Sequence, residues 1–194
     1  MPEAPTGVSL SDETLVQLAR GGDGSAREEL FRRHWGVAYR VAYRLLGHEQ
    51  DALDAVQDGL LKALLHLGDF EGRSGFQTWL MKIVTHAALD LGRKRGRRSA
   101  VSLGQREDDP LDPARDDDPS RGLYRADLRR LLDVALERLS PTIRAPFVLF
   151  AEAGLSYKEI AEALDIPTGT VMSRIHSARQ KLQASLDGID WEDL

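Results

Sequence analysis

The chain has 194 residues, 42% of them apolar, no cysteine and a formal net charge of −5. That length buries one good core or two small ones, and the apolar share is that of a globular protein rather than a disordered one. The missing cysteine excludes disulfides, thiolate chemistry and sulfur-bound metal, and makes a reducing cytoplasmic setting the expectation.

In chain order, residues 1–8 are expected to be a flexible N-terminal extension. They lack the basic-then-apolar order of an export signal, and no later stretch stays apolar long enough for membrane insertion. A helical unit is expected over 9–98. Ser11 or Asp12 caps a first helix, and a longer one near Asp23 to Gly47 carries Leu30, Phe31, Trp35, Ala38, Val41 and Leu45 inward, with Gly47 as its stop. The next helix, near Glu49 to Leu67, puts Leu53, Val56, Leu60 and Leu64 on the core side while Asp51, Asp54 and Asp58 share another face. That acidic ridge is either an ordinary solvated face or a landing site for a basic partner.

A polar, glycine-rich loop, GDFEGRSG, leads into a third strong helix from Phe76 to Arg95, with Phe76, Leu80, Ile83, Val84, Ala87 and Leu91 inward. Along its opposite edge Trp79, Lys82, His86, Asp90 and Arg93 line up at steps of three and four. Such a strip can stack unpaired bases and hold a backbone, or Trp79 can simply complete the core. The helix ends in the basic run GRKRGRR, residues 92–98.

Residues 99–122, rich in proline and acid, read as a flexible linker with net charge −4 between two units that each carry +2. The second unit, 123–186, ends in two short helices joined by a tight turn. Ile160, Ala161 and Leu164 form one apolar stripe, Asp165 to Pro167 break it, and Val171, Ile175, Ala178 and Leu182 form the next. The outward face of the last helix holds Met172, Ser173, His176, Arg179 and Gln180, and residues 168–183 contain three basic residues and no carboxylate. Such a helix suits the major groove, although an ordinary helical hairpin with a solvated face has the same pattern. The tail 187–194 is acidic and contains Trp191. The expected fold is all-α: two small helical domains joined by a flexible acidic linker.

Signs of catalysis are missing. The glycines of RGGDGSA lack the lysine and hydroxyl of a phosphate loop, and His34, His48, His66, His86 and His176 never fall into paired metal-ligand spacing. No catalytic centre, metal or cofactor is expected.

Three segments in order, DALDAVQDGLLKAL, FEGRSGFQTWLMKIVTHAALDLGRKR and GTVMSRIHSARQKL, resemble the bacterial sigma-70 factors of the extracytoplasmic-function (ECF) group, which keep only regions two and four. The resemblance implies a transcription initiation factor that binds core RNA polymerase, through the beta-prime coiled coil and the beta subunit, and brings it to promoter DNA. It places polymerase contacts at Asp51, Asp54, Gln57 and Asp58. Contacts to the minus-ten element fall on Phe70, Arg73, Ser74, Trp79, Lys82, His86, Arg93 and Lys94. Contacts to the minus-thirty-five element fall on Thr170, Ser173, Arg174, His176, Ser177 and Arg179. An anti-sigma factor is the further implied partner. Leu53, Gly59, His86 and Met172 depart from the family pattern, Gly59 at a helix-propensity cost of about 1 kcal/mol against alanine, which suggests weakened polymerase affinity. The competing reading is a stand-alone helix-turn-helix regulator that does not join polymerase.

Overall fold

The computed structural model describes residues 10–101 and 131–185, and every regular element among them is helical. Helices α1 (Asp12–Arg20), α2 (Gly24–Leu46), α3 (Glu49–Leu65) and α4 (Phe76–Val101) make the first unit, with a 3-10 turn at Leu67–Asp69. The second unit contains residues 131–137 (α5), α6 (Pro141–Ala153), α7 (Tyr157–Leu164) and α8 (Thr168–Ser185). The tail and most of the proposed linker lie outside the described residues, and α4 continues through the basic run to Val101.

Local signals set most of the boundaries. The Ser11 hydroxyl accepts from the Thr14 amide at 3.3 Å, and the Asp23 carboxylate accepts from the amides of Ser25 and Ala26 at 2.9 and 3.0 Å, so both helices start on satisfied N–H groups. Gly47 ends α2 at φ 68°, a left-handed conformation that glycine adopts without strain.

Which faces are buried differs from the periodicity in two places. Trp35, expected inward, is 37% exposed, because α2 buries the turn formed by Leu30, His34, Ala38 and Val41 instead. His34 is tolerated there because its Nε2 lies 2.7 Å from the Asp12 carboxylate. In α3 the buried stripe is Ala52, Ala55, Val56, Gly59 and Ala63, whereas Leu64 is exposed and Leu53 and Leu60 are only half-buried. Small residues win because α4 approaches closely: a Cβ added at Gly59 would lie 2.9 Å from Val84 Cγ2 and 3.1 Å from its Cα. Gly59 is therefore a packing residue.

In the second unit, α7 opens on a capping box. The Ser156 hydroxyl accepts from the Glu159 amide at 3.3 Å, and the Glu159 carboxylate accepts from the Ser156 amide at 2.9 Å. Asp165, at φ 57°, makes the turn, and α8 buries Val171, Ile175, Ala178 and Leu182 as their spacing requires. Hydrogen bonds from the Ser156 hydroxyl and amide hold the Glu159 carboxyl below its ordinary pKa of 4.5. A depressed carboxyl stabilises the fold above its unfolded pKa, and that stability is lost as pH falls below about 4.5. Ser156→Ala should cost about 1 kcal/mol at neutral pH and flatten the acid limb of the stability profile, both measurable by urea unfolding.

The two units also pack on each other. One apolar core runs from α1–α4 into α6–α8, with α6 on α2 and α7 on α4. Polar contacts cross the same boundary. Arg44 of α2 pairs with Asp133 of α5 and, at 3.0 Å, with Glu152 of α6; Gln77 of α4 donates to the Ala153 carbonyl at 2.6 Å, and Thr78 donates to Glu159 at 3.0 Å. Arg144 donates to carbonyls in both units, Leu45 at 2.9 Å and Leu139 at 3.0 Å. Burial pushes the Asp133 carboxyl above its ordinary range, and Arg44 beside it offsets this only partly.

Candidate nucleic-acid interface

Three surfaces carry the residues singled out in the sequence. On α3, Asp54, Gln57 and Asp58 are exposed on one face and Asp51 is half-buried at its edge. The ridge is not bare: Asp51 pairs with Arg95 of α4, Asp58 with Lys62 at 2.6 Å, and Gln50 donates to Asp54 at 3.4 Å. Exposed ion pairs of this kind exchange readily for an incoming cation, since each contributes little in water. Beside the ridge, Leu60, Leu61, Leu64 and Phe31 line an apolar groove of about 360 Å³ that the charge pattern did not reveal.

The second surface lies along α4. Trp79, Lys82, Ile83, His86 and Asp90 line one wall of an open groove of about 570 Å³, and Lys62, His66 and Asp69 from the end of α3 and the following turn line the other. Its floor is apolar and its rim polar, the combination that a stacked base requires. Sequence reasoning missed Lys62, His66 and Asp69, which reach the groove because α3 packs along α4 and carries the following turn with it. The His86 ring donates from Nδ1 to the Lys82 carbonyl at 2.7 Å, which leaves Nε2 for an incoming group. Arg93 pairs with Asp90, and Lys94 is exposed one residue further on.

Other candidates sit differently. Phe70 is 8% exposed and packs against Trp79 and Phe76, with ring centroids 5.1 and 5.9 Å away, so it anchors the loop from inside. Trp79 is half-buried, sharing both roles: one side of its ring meets Phe70 and Phe76, and the residue also lines the groove. Arg73 is exposed and paired with Glu71, and Ser74 is half-buried beside it; both line a separate cavity of about 330 Å³ under the loop, where Arg20 donates to the Phe70 carbonyl at 3.3 Å.

The third surface is α8. Ser173, His176 and Arg179 are exposed, while Thr170, Arg174 and Ser177 flank them half-buried. The Arg179 guanidinium lies 5.2 Å from the centroid of the Phe150 ring, a cation–π contact that holds it at the α6 side of the face. Ser173 donates to the Thr170 carbonyl at 3.0 Å. Among the described residues no group of three His, Asp or Glu side chains is placed to hold a metal ion, and no helix is long and apolar enough to cross a membrane.

Known proteins resemble both units. Residues 30–98 match the family Sigma-70 region 2, and residues 129–182 match Sigma-70, region 4. The chain is 37% identical over 181 residues to the ECF RNA polymerase sigma factor SigE of Mycolicibacterium smegmatis, covering 93% of this chain and 68% of that one. It is 32% identical to the RNA polymerase sigma-H factor of Pseudomonas aeruginosa, covering 90% and 93%. Among solved structures, CnrH in complex with the cytosolic domain of CnrY superposes with TM-score 0.67 at 27% identity, covering 92% of this chain and 99% of that one. The sigma factor RpoE of Bartonella quintana, in complex with the anti-sigma factor NepR, gives 0.69 at 27% identity, covering 84% and 98%.

Proposed function

The chain belongs to the ECF group of sigma-70 factors, and we propose that it joins core RNA polymerase in the cytoplasm, carries it to promoters with two upstream elements and assists duplex opening. The observation that carries this reading is that both matched regions stand in one chain in order, 30–98 and then 129–182. A stand-alone regulator has no use for the first of them.

The acidic face of α3 (Asp51, Asp54, Gln57, Asp58) meets the polymerase beta-prime coiled coil, with the beta subunit as a further contact, and the neighbouring apolar groove adds area to that docking. The α4 groove takes a base freed by melting of the minus-ten element, with Trp79 and Ile83 beneath it, Lys82 and His86 at its rim, and Arg93 and Lys94 beside the backbone. The acid-free face of α8 enters the major groove of the minus-thirty-five element. An anti-sigma factor restrains the protein, by analogy with the RpoE complex.

The test is transcription from fragmented host DNA with the host's core polymerase, followed by sequencing of RNA 5′ ends. New starts sharing two upstream elements are expected, and Asp54→Arg should abolish them while leaving the fold intact. Arg174→Ala and Arg179→Ala should each reduce discrimination between matched and scrambled minus-thirty-five elements by about 1–3 kcal/mol, about fivefold to 150-fold. Equal losses on both templates would reassign those arginines to backbone contact.

A further inference from the structure

We infer that Phe150 is a positioning residue for promoter discrimination: its ring seats the Arg179 guanidinium so that the N–H edge meets one guanine of the minus-thirty-five element already oriented. The inference rests on the proposed role of α8 in reading that element, and it adds a residue of α6 to the machinery of that reading.

Three helices build the seat. Arg179 projects from α8 with its guanidinium carbon 5.2 Å from the centroid of the Phe150 ring, which α6 supplies. Phe150 is braced in turn by Tyr157, the first residue of α7, with ring centroids 5.6 Å apart and planes inclined at 47°. Both aromatic residues are half-buried and pack on the main core, so the fold fixes the ring face, whereas Arg179 is exposed. A cation over a ring face is attracted by the ring quadrupole without using a hydrogen-bond donor. Among the described residues no acceptor engages the Arg179 N–H groups, and residues 168–183 hold no carboxylate that could draw them away.

Guanine readout asks for this combination. Bidentate contact to the O6 and N7 of guanine needs two N–H groups that share a plane and are free of other partners. An arginine loose in water points them in many directions, and fixing one direction on binding opposes recognition. Arg179 stands about three turns past the start of α8 at Thr168, beyond the N-terminal turns that lie nearest the base edges. There only a long side chain reaches a base, and a preset direction matters most. Arg174 has no such seat among the described residues, so the contacts it makes serve as the internal comparison.

The test uses the full chain with core polymerase on promoters found by the 5′-end sequencing above. Each guanine of the minus-thirty-five element is replaced singly by 7-deazaguanine, in which C–H takes the place of the N7 acceptor. For the unmutated protein one such replacement should lower initiation about fivefold or more, and Arg179→Ala should erase that penalty. Phe150→Leu, which keeps an apolar side chain on the core, should shrink the same penalty to about twofold or less. It should leave penalties at other guanines, and initiation from a scrambled element, unchanged. Phe150→Tyr, which keeps the ring, should restore the penalty. Equal loss on matched and scrambled templates would make Phe150 only a packing residue and overturn the inference, as would a full penalty retained in Phe150→Leu or in Arg179→Ala. If the unmutated chain initiates from no two-element promoter, the proposed function fails and the discriminating role falls with it. The upfield ring-current shift of the Arg179 δ protons, lost in Phe150→Leu, then still decides whether the seat exists.

Discussion

Gly59→Leu should destabilise the α1–α4 unit by more than about 3 kcal/mol. Gly59 faces α4 at its closest approach, where an added Cβ would meet both the side chain and the backbone of Val84. A flexible side-chain tip can move aside, but the Val84 Cα at 3.1 Å moves only if the helices separate, and that separation loosens the packing of Ala55, Val56 and Ala63 as well. Overpacking of this kind costs about 1–3 kcal/mol for one or two methylenes and more for a whole leucine. Gly59→Ala divides the two influences on this position: alanine gains about 1 kcal/mol of helix propensity. The collision opposes that gain by about 1–3 kcal/mol. A net loss is therefore expected for alanine and a loss above about 3 kcal/mol for leucine, a fall in Tm of about 6–12 °C for a chain of this size. Thermal unfolding followed by near-UV circular dichroism measures both. If alanine proves stabilising and leucine neutral, the glycine is there for an external partner, which is what its place in the docking helix alone would suggest.

The second large effect is expected at Arg144. This guanidinium is 9% exposed and donates to three backbone carbonyls, Leu45 at 2.9 Å, Glu137 at 2.5 Å and Leu139 at 3.0 Å. Those carbonyls sit where α2 and α5 end, the places where helices have acceptors without intrahelical donors. Arg144→Met keeps much of the volume and removes every donor. Each buried acceptor left unpaired costs about 1–3 kcal/mol, so a total near 4 kcal/mol is expected once partial rehydration is allowed for. Arg144→Lys should recover less than half, because a single ammonium cannot reproduce a planar fork aimed at separate acceptors. Urea unfolding gives the loss. Amide exchange at the end of α2 should rise in the same variants, because Leu45 belongs to the first unit while Glu137 and Leu139 belong to the second. An unchanged α2 terminus would mean that the Leu45 contact contributes nothing across the boundary.

Much of the fold is legible in the residues. Ser11, Asp23, Gly47 and Ser156 mark helix ends because their effect is local: each satisfies or frees a backbone group within one turn. The stripe Val171, Ile175, Ala178 and Leu182 predicts the buried side of α8 correctly because its large side chains have a solvated face opposite. The same logic misplaces Leu64 and Trp35. Periodicity is weighted by large apolar residues, yet α3 meets α4 through alanines and a glycine, which carry little hydrophobic signal and permit the closest approach. The Trp79 strip and the acidic ridge were visible as patterns, but their neighbours were not: Arg95 on Asp51, and Lys62, His66 and Asp69 opposite His86, are brought there by chain reversals.

The sequence by itself determined the all-helical class, the order of two units, most helix ends and the acid-free face of α8, because each depends on residues within a few turns of one another. Tertiary structure alone decided that Gly59 is a packing residue, that Phe70 lies inside its loop, that a groove forms between α3 and α4, and that the second unit lies against the first. Those outcomes depend on which surfaces meet where the chain turns back on itself, as Gly59 meets Val84, Arg44 meets Asp133 and Leu45 meets Arg144, and no local spacing encodes that encounter.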